Sequence, residues 1–105
     1  MAEQYILQNL PTATVKSTAQ YLNVSERTLL NLFQFMLGMP TVEYIQKRKI
    51  DEACRQLSFG ENTIGEIAED LGYADQFVFS KAFSKYMGIS PSKYRKQEYL
   101  LKYTV

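Results

Sequence analysis

The stretch TIGEIAEDLGYADQFVFSKAFSKYMGISPSKY, residues 63–94, decides the fold, because an earlier stretch, TVKSTAQYLNVSERTLLNLFQFMLGMPTVEY, residues 14–44, repeats its framework. Val15, Ala19, Leu22 and Val24 each precede Ile64, Ala68, Leu71 and Tyr73 by 49 residues. Leu29, Phe33, Gly38 and Tyr44 precede Phe79, Phe83, Gly88 and Tyr94 by 50. The one extra residue falls between Tyr73 and Phe79, where a turn is expected. Matching apolar positions and a matching glycine imply one supersecondary unit used twice, and two copies are too few for a solenoid. Two similar units at a fixed separation suit a partner that is itself periodic.

Outward from the repeat, helical periodicity dominates and no segment alternates with period two. A first short helix is expected over Ala2–Asn9, with Tyr5, Ile6 and Leu10 apolar, followed by a break from Pro11 to Thr14. Val15, Ala19 and Leu22 fall on one face of a second helix, Val15–Leu22. After the Asn23-Val24 turn, Ser25 caps a third helix, with Glu26 favourable beside the helix dipole. Gly38, in a left-handed conformation, and then Pro40 stop it near Leu37. The longest helix is expected over Thr41–Ser58, with Val42, Ile45, Ile50, Ala53 and Leu57 on one face. Residues 59–62 connect the copies. Thr63 caps a short helix to Leu71, ended by Gly72. Asp75 caps the next, to about Met87, with Phe79, Ala82, Phe83 and Tyr86 inward. Ser90-Pro91 is a cap and first-turn pair opening a last helix through Tyr94 towards Leu101. The expectation is an all-α fold of seven helices in three parts: a first helix-turn-helix subdomain over 1–40, a linker helix over 41–58, and a second helix-turn-helix subdomain over 59–105.

Composition narrows the function. At 105 residues and 46 % hydrophobic content the chain can bury a core. No apolar run approaches the roughly 18–20 residues that span a bilayer, and there is no signal peptide pattern. Cys54 is the single cysteine and reads as a buried or half-buried thiol in a reducing cytoplasm. There is no histidine, which removes His-based acid–base chemistry and the common zinc sites. No Gly-rich phosphate loop occurs. The expectation is no enzyme, no cofactor and no metal. A net charge of +1 is low for a nucleic-acid binder, but phosphates meet one face of a protein and not its average.

Each copy is a short helix, a tight turn and a longer capped helix, which is a helix-turn-helix. The small Ala19 or Ala68 lets the two axes cross steeply, and Val24 or Tyr73 plugs the gap. The second helix buries Leu29 and Phe33, or Phe79 and Phe83. Its N-terminal outer side is left for a DNA major groove, about 12 Å wide. At this point the sequence resembles the AraC/XylS family of bacterial transcription regulators. Ile64 to Ala68, Leu71-Gly72-Tyr73, Phe79 to Phe83 and Gly88 to Arg95 are similar to that family's signature almost end to end. Gly38, Tyr44, Ile45, Arg48, Ala53 and Leu57 match more loosely. The resemblance implies a seven-helix domain whose long helix joins two recognition helices, each entering an adjacent major-groove segment on one DNA face. A helix over 41–58 is on the order of 25 Å long. Successive major grooves on one face lie about 34 Å apart, leaving the difference to tilt or DNA bending.

On the second recognition helix the resemblance maps the base-reading positions onto Gln76, Phe77, Val78 and Lys81. Gln76 can pair with adenine through two hydrogen bonds, and Lys81 can reach guanine or a phosphate. Phe77 and Val78 can touch thymine methyls or simply pack. Ser80 and Lys85 are phosphate candidates. On the first recognition helix Arg27, Leu30 and Asn31 should face the groove, although Leu30 carries no hydrogen bond. Further along, Gln34, Phe35 and Met36 stand where relatives commonly show basic residues, so either this motif binds DNA weakly or Phe35-Met36-Leu37 packs against another surface as an apolar interface. Lys93, Arg95 and Lys96 follow the Ser90 cap at a helix N-terminus, a phosphate site. Lys47-Arg48-Lys49 reads as a solvated run, with Arg48 as readily structural, pairing near Asp51 or Glu52, as a phosphate contact. Glu66, Glu69 and Asp70 form an acidic edge facing away from DNA.

The expected partners are double-stranded DNA, RNA polymerase and a missing N-terminal effector, dimerisation or receiver domain, with no membrane. The first helix begins so close to residue 1 that the chain reads as an excised C-terminal domain, with a small free-standing regulator as the alternative. The rival reading, prompted by the low charge and the apolar first recognition helix, is a protein-interaction module that kept the fold and lost useful DNA affinity.

Overall fold

The computed structural model describes residues 1–103, and five of its seven helices start at a residue whose side chain caps them. The first, α1 (Ala2–Gln8), ends at Asn9, whose amide nitrogen turns back to the Tyr5 carbonyl at 2.8 Å. A reciprocal pair opens α2 (Val15–Leu22): Thr14 Oγ1 accepts from the Ser17 N–H and Ser17 Oγ from the Thr14 N–H, both at 2.9 Å. Ser25 accepts from the Thr28 N–H at 3.0 Å to begin α3 (Glu26–Leu37), which stops at Gly38 with φ +69°. The Pro40 carbonyl accepts from the Tyr44 N–H as α4 (Thr41–Phe59) begins. A second capping box, Thr63 with Glu66, opens α5 (Ile64–Asp70). Asp75 accepts from the Val78 N–H at 2.9 Å to start α6 (Gln76–Met87), which stops at Gly88 with φ +78°. Ser90 accepts from the Lys93 N–H at 3.2 Å at the start of α7 (Pro91–Tyr103). All seven expected helices form, with ends within two residues of expectation, and the fold is all-α among the described residues. Residues 104 and 105, the end of the expected second subdomain, lie outside the described residues.

The chain gathers into two compact units, Met1–Lys49 and Ile50 onward, which divide inside α4. In the first, Ile6, Leu10, Ala13, Ala19, Leu29, Phe33 and Ile45 form the core, with Val24 and Tyr44 packed against it. In the second, Ile50, Ala53, Leu57, Ile67, Ala68, Leu71, Phe79 and Phe83 do so, with Tyr73 and Tyr94 packed against them. The duplication reaches the level of single bonds. The Val24 N–H donates to the Ala19 carbonyl at 3.0 Å, and the Tyr73 N–H to the Ala68 carbonyl at 2.9 Å. Phe33 meets Tyr44 with ring centroids 5.2 Å apart, and Phe83 meets Tyr94 at 5.5 Å. Asn23 and Gly72 hold the same place in the two turns, both with positive φ. The extra residue of the second copy is Ala74, inserted between the turn plug and the Asp75 cap.

Three expectations about burial are corrected. Val42 is 55 % exposed, and the inward place at the start of α4 belongs to Thr41. Both precede Ile45 by about one turn, and helical spacing admits either on that face, so the choice is made by packing and not by period or polarity. Tyr86 is 40 % exposed, because Phe79 and Phe83 already fill the inner side of α6. Lys49, read as part of a solvated run, is only 9 % exposed, and loss of solvent lowers its pKa. Cys54 is half-buried as expected, and burial raises its thiol pKa. No helix among the described residues is long and apolar enough to cross a membrane.

Candidate nucleic-acid interface

The buried side of α6 is fixed by Phe79 and Phe83, both fully enclosed. With that stripe inward, helical spacing turns Phe77, Val78 and Lys81 outward, while Gln76, three residues before Phe79, is exposed at the open first turn on the side towards α5. All four are exposed, Phe77 at 76 %. A phenyl ring so far in water on the first turn of a capped helix has no packing role in its own unit. Ser80 is half-buried beside the Phe79 stripe, while Lys85, one turn beyond Lys81, is exposed near the helix end. The Asp75 carboxylate that caps the helix places one negative charge at this otherwise neutral-to-basic end.

On α3 the buried pair is Leu29 and Phe33, and Arg27, Leu30 and Asn31 are exposed. Arg27 is the only cation on this helix and follows Glu26, so its N-terminal end carries no net positive charge. The far end is apolar as expected: Phe35 is 87 % and Met36 71 % exposed, and Leu37 is exposed too. The sequence reading missed Leu32, exposed on the same helix, which lines a groove of about 380 Å³ together with Met36, Leu37, Leu22, Val24 and Met1. Its signal was the spacing of Leu32 and Met36, four residues apart.

At α7, Lys93 and Lys96 are exposed beside the Ser90 cap. Arg95 is placed differently. It is half-buried, with Nε donating to the Leu57 carbonyl at 3.2 Å and Nη2 approaching the Gln56 carbonyl at 3.5 Å. Lys102 donates to the Ser58 carbonyl and lies 3.9 Å over the Phe59 ring. Two cations of α7 thus cap the C-terminal carbonyls of α4, where the helix dipole favours positive charge. The Tyr94 phenol, on the same helix, is pushed up to about 12, chiefly by burial.

The acidic edge is tied into the scaffold. Glu66 closes the α5 capping box, and its bond to the Thr63 N–H holds its carboxyl below the ordinary value. Asp70 accepts from Gln56 Nε2 at 2.9 Å. Glu52 pairs with Arg55 at 2.6 Å, and the bond to that guanidinium lowers its pKa. No group of three or more metal-binding side chains occurs among the described residues.

Residues 18–97 match a family profile described as a helix-turn-helix domain. The raffinose operon transcriptional regulatory protein RafR of Pediococcus pentosaceus is 37 % identical over 97 residues, covering 91 % of this chain and 35 % of its own. The arabinose operon regulatory protein of Escherichia coli is 32 % identical over 94 residues, covering 88 % and 32 %. Among solved structures, the C-terminal domain of AraT, a response regulator from Geobacillus stearothermophilus, superimposes with a TM-score of 0.86 at 38 % identity, covering 91 % of this chain and 81 % of that one. The DNA-binding domain of AdpA, solved in complex with a target DNA, gives 0.88 at 21 % identity over 98 % and 93 %, a likeness of fold. The chain spans about a third of the length of the curated relatives it matches.

Proposed function

The chain belongs to the AraC/XylS family of helix-turn-helix transcription regulators, and from that premise we propose that it is the sequence-specific DNA-binding domain of a bacterial regulator rather than an enzyme. The observation that carries this reading is the outer face of α6, where Gln76, Phe77, Val78 and Lys81 stand exposed on the first turns of a capped helix. In this reading α3 and α6 are recognition helices, each entering its own major-groove segment. Gln76 reads adenine and Lys81 guanine or phosphate, while Phe77 and Val78 meet thymine methyls. Ser80, Lys85, Lys93 and Lys96 hold phosphates, and Arg27, Leu30 and Asn31 form the weaker contact of the first motif. Residues 1–40 are then the first helix-turn-helix subdomain, 41–58 the linker helix and 59–105 the second. The apolar end of α3, around Phe35 and Met36, is the surface we assign to protein contact, with RNA polymerase or with a further effector, dimerisation or receiver domain of a longer protein. Such a regulator works in the cytoplasm.

Fluorescence anisotropy on promoter-like duplexes across a salt series tests the proposal. Binding should weaken steeply with salt, in proportion to the phosphates neutralised. No binding tighter than about 100 µM at low salt, the weak end of ordinary non-specific association, would refute it.

A further inference from the structure

Three glycines of this chain, Gly38, Gly72 and Gly88, have positive φ and are explained by their turns. Gly65 is not. It lies in the first turn of α5, in ordinary helical conformation, where glycine is a poor choice on helix propensity alone. The reason is next to it. A β-carbon on Gly65 would stand 3.1 Å from Gln76 Oε1, closer than such contacts normally come, and 3.9 Å from Thr63 Oγ1. Gln76 is the first residue of α6. Its carboxamide therefore lies against the bare backbone of the preceding helix, in space that any side chain at position 65 would take. At the matching places of the first copy stand Lys16 and Glu26, so the glycine and the glutamine occur together in one motif only.

We infer that Gly65 is a positioning residue for base readout: the seat it leaves open presets the rotamer from which Gln76 meets its base. This rests on the reading of α6 given above. A two-bond contact from glutamine to adenine needs the carboxamide in the plane of the base edge, and a long exposed side chain reaches that plane from few rotamers. Seating the carboxamide on α5 removes part of that search before DNA arrives. A methyl at position 65 leaves the helix intact, because only the end of a flexible side chain has to move, and it pushes the Gln76 carboxamide off its present position by a few tenths of an ångström.

The test uses the whole chain with Gly65→Ala, Gln76→Ala and the double variant, scored by anisotropy on duplexes that differ at the base pair whose preference Gln76→Ala changes. Gly65→Ala should lower the adenine preference by about fivefold or more, the low end of what one two-bond contact discriminates. In the Gln76→Ala background the same change should matter by less than about twofold, since the residues then no longer couple. Without DNA, Gly65→Ala should shift the side-chain amide resonances of Gln76, while the melting temperature holds or rises. Equal losses in both backgrounds, an unchanged preference while Gln76 is present, or unmoved amide resonances overturn the inference. If Gln76→Ala shifts the preference and Gly65→Ala does not, the inference alone falls. If Gln76→Ala shifts nothing, the reading of α6 falls and takes the inference with it.

Discussion

Replacing Arg95 by Met separates two roles for the same cation. The sequence places Arg95 among basic residues that follow a helix N-terminus, a phosphate site. In the fold its guanidinium reaches 38 residues back to the Leu57 carbonyl at 3.2 Å. Methionine keeps a flexible stem of similar reach and removes the donors. The Gln56 carbonyl retains the Gly60 N–H at 2.9 Å, and its 3.5 Å approach from Arg95 is long, so the loss is dominated by the Leu57 bond. A hydrogen bond from a charged donor is worth about 1.5–3 kcal/mol, and the lower end applies to this half-buried position. For a domain of this size about 1.5 kcal/mol lowers Tm by roughly 6–10 °C. Calorimetry reads that number, and the slope of log K against log salt reads the other role. A capping Arg95 predicts the Tm drop with an unchanged salt slope. A phosphate-bound Arg95 predicts an intact Tm and a slope shallower by about 0.9, the value of one lost phosphate contact. A slope change without a Tm change would refute the capping assignment.

The motifs are expected to contribute unequally: Gln76→Ala and Lys81→Ala should each cost specific binding about 1–3 kcal/mol, more than Arg27→Ala, and a reversed order in competition assays would make the first motif the leader. Asp75→Ser keeps a good cap while removing the negative charge at the groove end of α6. It should tighten binding a few-fold at low salt with the gain vanishing at high salt, and equal affinity throughout would show that this end does not face phosphate. Glu66 is held below its ordinary carboxyl value of 4.5 by the Thr63 bond, so the stability it contributes is present above that pH and is lost as pH falls through the lower folded value. Glu66→Gln keeps the capping box without a titrating group. Its melting temperature should fall less than the parent's between pH 5 and 3, and superimposable acid limbs would count against the assignment.

Secondary structure was legible because most helices carry their own start or stop chemistry within four residues: Ser25 with Thr28, Thr63 with Glu66, Asp75 with Val78, and glycines 38 and 88 at the ends. The outward faces of α3 and α6 were legible for a related reason. Once Leu29 and Phe33, or Phe79 and Phe83, are inward, Arg27 and Asn31, or Phe77, Val78 and Lys81, are turned away from the core. What escaped the sequence depends on contacts between helices. Thr41 is buried in place of Val42, although both lie about one turn before Ile45 and the period alone admits either. Arg95 reads as a DNA contact by its neighbours in sequence, and only the packing of α7 brings it to the end of α4. Gly65 reads as a neutral member of a signature until Gln76 is seen beside it.

The duplication therefore separates two kinds of position. The bonds that shape each copy recur, from the turn-plug N–H on the helix alanine to the phenylalanine–tyrosine contact behind the second helix. The outward residues share nothing: Arg27, Leu30 and Asn31 stand against Gln76, Phe77, Val78 and Lys81. Folding energy resides in the recurring set, because that set is buried, and the outward set is exposed and free to vary at little cost in stability. On the function proposed above, a chain built this way would read two unlike half-sites in a fixed order. Its binding site should have a direction even when a single copy of the chain is bound, and reversing one half-site relative to the other should cost affinity that reversing the whole site does not.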